Sequence, residues 1–184
     1  EIGSYRGIRP WGVALGPTKL LPGENDSSSI YTSTLTVKLA PIASLIKWRP
    51  VAIFNPRDTE IILRKNNQGS FWVLGPVDES KKTNIEIRFN LKNKTKIVFK
   101  PGKIELSAKG NISLDLKNKK ISGLINLDSQ KNGSLFLSGK GFWDGLEFKA
   151  KAKINKFRLN VLQDILRNDY NIQTKGNVNA DLNF

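Results

Sequence analysis

Ile85-Glu86-Ile87-Arg88-Phe89-Asn90-Leu91-Lys92 is the stretch whose reading decides the fold. Apolar Ile85, Ile87, Phe89 and Leu91 alternate with polar Glu86, Arg88, Asn90 and Lys92. A period of two puts the first set on one side of an extended strand and the second set on the other.

The same period recurs in both directions along the chain. Upstream, Leu35, Val37 and Leu39 alternate with Thr34, Thr36 and Lys38. Downstream it returns at Ile104, Leu106 and Ala108, at Ile112, Leu114 and Leu116, and at Ile121, Ile125 and Leu127. Leu135 and Leu137 then alternate with Ser134, Phe136 and Ser138, while Leu146, Phe148, Ala150, Ala152 and Ile154 alternate with Glu147, Lys149, Lys151 and Lys153. The last strand carries Ile172, Gly176, Val178, Ala180, Leu182 and Phe184 on one side. One apolar and one solvated face per strand is the pattern of antiparallel sheet.

Turn signals separate these strands: Asn67-Gln68-Gly69, Lys117-Asn118-Lys119-Lys120, Lys131-Asn132-Gly133 and Asp144-Gly145. Such short connections predict an up-and-down meander. Two short helices are expected to cap the sheet. Residues 41–47 open with Pro41 and carry Ile42, Leu45 and Ile46, and residues 161–166 space Val161, Leu162, Ile165 and Leu166 helically. The pattern gives roughly nine to eleven one-sided strands and almost no helix to cover them. The apolar faces must still be covered. Either the sheet folds on itself as a sandwich or barrel, or it curls into a trough covered by a ligand with long hydrocarbon chains.

The chain has 184 residues, which fits one compact domain or one stretch of an elongated repetitive protein. It begins at Glu1, contains no methionine, and residues 176–184 read as a strand with no turn signal after it, so a piece of a longer protein is expected. No apolar run approaches the roughly 20 residues of a membrane span, and the amino end does not resemble a signal peptide. With no cysteine there is no disulfide or thiolate site, and with no histidine most hydrolytic triads and zinc sites are excluded. Neither an enzymatic activity nor a metal or cofactor is expected.

The net charge of +14 is mostly lysine, spread from Lys19 to Lys175 alongside abundant Asn and Ile. Nucleic-acid binding calls for a clustered patch. No nucleic-acid partner is therefore expected, and one would reveal itself by steep salt dependence. Lys149, Lys151 and Lys153 form a true stripe, read as a solvated face that guards against edge pairing, with attraction to anionic lipid head groups as the functional alternative.

Other candidates carry less. Asp58 and Glu60, beside Arg57 and Arg64, read as a solvated cross-strand ion pair. Gly139-Lys140-Gly141 lacks the spacing and the helix of a phosphate loop. The sequons at Asn25, Asn93, Asn111 and Asn132 are expected by chance in a chain of this composition. Trp11, Trp48, Trp72 and Trp143 are expected to fill the core at the sheet ends, with membrane-interface contact as the alternative.

The first 75 or so residues carry a resemblance. Gly12-Val13-Ala14-Leu15-Gly16-Pro17 with Leu21-Pro22 is similar to the opening strand of TamB-type translocation and assembly module proteins of the AsmA-like superfamily, particularly the cyanobacterial type. The order continues with Thr34-Leu35-Thr36-Val37-Lys38-Leu39, the turn at residues 41–49 with Leu45-Ile46, Asn55-Pro56, Glu60-Ile61-Ile62-Leu63 and Gly69-Ser70-Phe71-Trp72. Phe157-Arg158-Leu159-Asn160-Val161-Leu162 leading into Gly176-Asn177-Val178-Asn179-Ala180-Asp181-Leu182 resembles the AsmA-like repeat. Residues 81–153 match only in their alternation, and the high Lys and Asn content departs from the family.

The resemblance implies an all-β fold: an elongated, curled antiparallel sheet, a taco-like β-groove, with one or two short helices. Residues 1–80 would be the amino-terminal segment after an inner-membrane anchor, and residues 81–184 the continuing groove strands. It further implies a periplasmic location, phospholipid as cargo between inner and outer membranes, and an outer-membrane barrel-assembly protein as a partner. A relative in the chloroplast envelope joins two membranes for protein import.

Acyl chains would line Ile85, Ile87, Phe89, Ile104, Leu106, Ile112, Leu114, Leu116, Ile121, Ile125, Leu127, Leu135, Leu137, Leu146, Phe148 and Ile154, held by apolar area at about 25 cal/mol per Å². The alternative expectation is an envelope-spanning β scaffold, closed by its own protein, that docks a barrel-assembly partner.

Overall fold

The alternating stretches assemble into a single 11-stranded sheet in the computed structural model, which describes residues 1–22, 27–66, 83–100, 104–129, 133–142, 148–158 and 177–183. The strands are β1 (Tyr5–Arg9), β2 (Gly12–Leu15), β3 (Thr18–Leu20), β4 (Ser29–Leu39), β5 (Val51–Arg64), β6 (Glu86–Lys100), β7 (Ile104–Asp115), β8 (Lys120–Ser129), β9 (Gly133–Phe142), β10 (Phe148–Arg158) and β11 (Asn177–Asn183). A single helix among the described residues, α1 (Pro41–Lys47), joins β4 to β5. The spatial order is β1-β2-β4-β5-β6-β7-β8-β9-β10-β11, with β3 also pairing with β4.

From β6 to β11 each strand pairs antiparallel with the next, the expected meander. The departure is at β5 and β6, which run parallel, with Val51 opposite Glu86 and Ile61 opposite Ile97. The sheet is therefore mixed rather than wholly antiparallel. Alternation sets which side a residue takes and is indifferent to strand direction. A parallel neighbour needs only a crossover of about a dozen residues or more, and residues 65–85 provide that length.

α1 occupies the expected residues. Pro41 stands in the first turn, where its missing N–H costs no bond, and Trp48 closes the helix in the left-handed conformation (φ 50°) with its N–H on the Leu45 carbonyl. The second helix expected at residues 161–166 lies outside the described residues.

Register aligns single rows of residues across the sheet. One row runs Thr18, Thr32, Thr59, Thr95, Ala108, Leu127, Leu135, Ile154 and Ala180 through in-register pairs. The core gathers around this row on β6 to β8, where Ile97, Phe99, Ile104, Leu106, Ala108 and Leu127 are buried and Ile61, Leu63, Ile125, Leu135 and Ile154 pack against them.

Two of the irregularities in the pairing lie in β6 and β5. In β6 the pairing with β7 shifts between Leu91 and Thr95, around Lys94 (φ 40°). Opposite Leu91 stands Gly110, where a Cβ would lie 2.0 Å from the Leu124 carbonyl oxygen on β8, so only glycine permits that approach. In β5, Asp58 is left-handed (φ 48°), and the hydroxyls of Thr32 and Ser33 each donate to the Arg57 carbonyl at 2.9 Å, fastening β4 to the kink.

Candidate functional site

In-register residues on neighbouring strands point to the same side of a sheet, so the pairings test whether the sequence-derived lining forms one surface. Ile87 lies opposite Leu114 and Leu114 opposite Ile121, while Phe89 lies opposite Ile112. Ile125 pairs with Leu137, and Leu127 with Leu135 and through it with Ile154. Leu106 and Ile104 face Ile97 and Phe99 of β6. Just beyond the strand ends, the Leu116 N–H donates to the Ile85 carbonyl at 3.1 Å, extending the same pairing. Phe148 begins β10 opposite Gly141; Leu146 lies outside the described residues.

Burial along this surface is graded. Ile104, Leu106 and Leu127 belong to the buried core, Leu106 being 1% exposed, whereas Ile85, Ile87, Phe89, Ile112, Leu114, Leu116, Ile121, Ile125, Leu135 and Ile154 are half-buried and Leu137 is 36% exposed. The surface is also uneven in depth. Phe54 and Phe89 pack at 5.2 Å between ring centroids, and the same row continues through Ile112 to Gly123, Gly139 and Ala150. Large rings at β5 and β6 thus give way to bare backbone at β8 and β9. α1 does not lie across this surface. Lys47, at its end, reaches Glu86 on the opposite, polar side.

That polar side holds a charge network the sequence reading did not single out. Glu86 is 2% exposed and its Oε2 accepts from Lys47 Nζ and, at 2.8 Å, from Arg49 Nη2. Its Oε1 accepts from Arg88 Nε at 2.9 Å and Ser113 Oγ at 3.2 Å. Asp115 takes Arg49 in a fork, at 2.7 and 2.8 Å, and also accepts from the Asn118 backbone N–H and side-chain amide.

Burial opposes the charge on Glu86 most strongly, yet the hydrogen bonds from Lys47, Arg88 and Arg49 together outweigh it and hold the carboxyl at about 2. In Asp115 burial likewise opposes the charge, and Arg49 and Asn118 bring the carboxyl down to about 2. The hydrogen bond that Arg49 donates to Asp115 raises the guanidinium further above its ordinary value. Near neutral pH both carboxylates are ionised and saturated by donors, a clasp rather than an acid/base pair. The one sequence signal was the basic pair Lys47 and Arg49 behind the Pro41 turn.

Beside the clasp an open cavity of about 430 Å³ is lined by Glu86 and Asp115 and by Lys120, Lys140 and Lys149. Lys149 lies directly opposite Lys140 in register, and Lys149, Lys151 and Lys153 are all exposed on this side, as the stripe predicted.

Two readings are corrected. The tryptophans described do not fill the core: Trp11 is 69% and Trp48 89% exposed, because each sits at a left-handed position that turns the chain outside the sheet. Trp72 and Trp143 lie outside the described residues. Asp58 sits at the kink of β5 and receives the Ser33 hydroxyl at 3.4 Å instead of an arginine.

Compared with protein-family models, curated proteins and solved structures, the chain matches none.

Proposed function

We propose that this chain is a segment of a lipid-conducting β-groove in which phospholipid acyl chains lie along the apolar side of the sheet while head groups stay in water. The observation carrying this reading is that the lining residues with described side chains share one side, yet apart from the core around Leu106 they are half-buried or, at Leu137, exposed, with no helix across them among the described residues. Uncovered apolar area is what an acyl chain fills, at about 25 cal/mol per Å² removed from water. The likeness to TamB-type proteins supports the same reading, with a periplasmic location, attachment to the inner membrane and delivery toward the outer membrane, where a barrel-assembly protein would be met. No single residue carries such an activity, which is non-enzymatic.

The buried cluster Ile97, Phe99, Ile104, Leu106 and Leu127 favours a second reading for that part of the sheet, a closed scaffold. Phe89→Asp with Leu137→Asp separates the two. Loss of co-purifying phospholipid with the β circular-dichroism spectrum retained supports the groove; unfolding of the double variant, or phospholipid undiminished in it, rejects the groove.

A further inference from the structure

α1 shows its apolar residues to solvent. Ile42, Leu45 and Ile46 are 74, 71 and 75% exposed, while Lys47 and, just past the helix, Arg49 turn back onto Glu86 and Asp115. The helix is thus pinned by its basic end with its apolar residues left uncovered. Trp48 extends this patch. Trp11 joins it from the turn between β1 and β2, its carbonyl accepting the Leu39 N–H at 2.7 Å only two residues before Pro41. Leu39 is itself exposed.

The charge at this end of the sheet has one sign left over. The row Val51, Glu86, Asp115, Lys120 runs across it, and the next row brings Lys140 and Lys149 face to face. Glu86 and Asp115 are already answered by Lys47, Arg49 and Arg88. Lys120, Lys140 and Lys149 line the adjoining cavity without a carboxylate partner among the described residues. Like charges set directly opposite destabilise a sheet, a cost that a bound anion removes.

We propose that this end of the protein docks on an anionic lipid bilayer, with Trp11, Ile42, Leu45, Ile46 and Trp48 entering the interface and the Lys120, Lys140 and Lys149 group resting on lipid phosphates. Tryptophan partitions to the head-group level, a short amphipathic helix lies in the interface plane, and basic residues within a Debye length of an anionic surface add attraction. A second protein copy would bury the apolar residues equally well, but it would bring the same lysines together. The surplus charge therefore selects the bilayer. This surface lies on α1 and the β1–β2 turn, apart from the apolar side assigned to lipid conduction, so its test stands alone.

The test is co-sedimentation of the chain with phosphatidylcholine vesicles containing about one-third phosphatidylglycerol, against phosphatidylcholine alone. Binding to the anionic vesicles is expected, with tryptophan emission shifted to the blue and quenched by lipids brominated in the acyl chain. Ile46→Ser with Trp48→Ser should weaken partitioning by about tenfold or more without altering the β spectrum, since both side chains are exposed. Lys140→Glu with Lys149→Glu should abolish the preference for anionic vesicles. Absence of binding, quenching equal in Trp11→Ser/Trp48→Ser and the parent, or partitioning untouched by the Ile46 and Trp48 changes would overturn the proposal. So would self-association through the patch without vesicle binding. The quenching of the parent chain needs no variant to fold.

Discussion

Arg49 holds Asp115 with both terminal guanidinium nitrogens, Nη1 to Oδ1 at 2.7 Å and Nη2 to Oδ2 at 2.8 Å, and through the same Nη2 reaches Glu86. The residue just past α1 is thereby tied to the start of β6 and the end of β7. The planar fork is what allows one side chain to serve two carboxylates, and an ammonium lacks that geometry. Arg49→Lys is expected to destabilise the fold by about 2 kcal/mol, and Arg49→Ala by about 3 kcal/mol or more because buried Glu86 loses a donor. Urea denaturation measures both; a lysine variant as stable as the parent would remove the fork from the account.

Acid should loosen the same clasp. Both carboxyls sit at about 2 in the folded chain, below the ordinary value near 4 that they regain on unfolding. A depressed folded value means that the stabilisation is complete above the unfolded value and is lost as pH falls through the folded one. Stability should therefore decline between about pH 5 and pH 2, with Glu86 alone accounting for on the order of 3 kcal/mol. Glu86→Gln should flatten the decline in a pH series of thermal melts, and an unchanged slope would contradict the assignment.

Leu106 and Leu137 test the gradient of burial along the apolar side. Leu106→Ala leaves a cavity in the core and should cost about 2–5 kcal/mol. Leu137→Ala, at a position 36% exposed, should cost less than about 1.5 kcal/mol. Chemical denaturation of the two single variants suffices, and equal costs would mean that the face is covered uniformly.

Thr95 presents the opposite case. Its side chain is buried, and its Oγ1 has no hydrogen-bond partner among the described residues, although Thr59 beside it in the row donates to Thr32 at 3.0 Å. Removing a buried hydroxyl without a partner relieves its desolvation. Thr95→Val should raise stability by about 1 kcal/mol, read as a higher denaturation midpoint with unchanged slope. A lower midpoint would place a hydrogen-bond partner at that hydroxyl.

The side taken by the described strand residues of β6 to β10 was largely written in the sequence. Period-two alternation is a local steric property of an extended chain, and β6 through β10 keep it except at the shifts between Leu91 and Thr95 and between Ile154 and Phe157. The helical turn behind Pro41 was legible for the same reason. Tertiary structure decided what depends on partners far along the chain. It made β5 and β6 parallel, a choice to which alternation is blind, and buried Leu106 while leaving Leu137 open, although both are leucines in alternating strands. It also brought Arg49 to Asp115 across three strands and turned Trp48 outward on a left-handed residue instead of into the core. Strand direction, depth of burial and ion pairing are properties of neighbours, and the neighbours exist only once the sheet has formed.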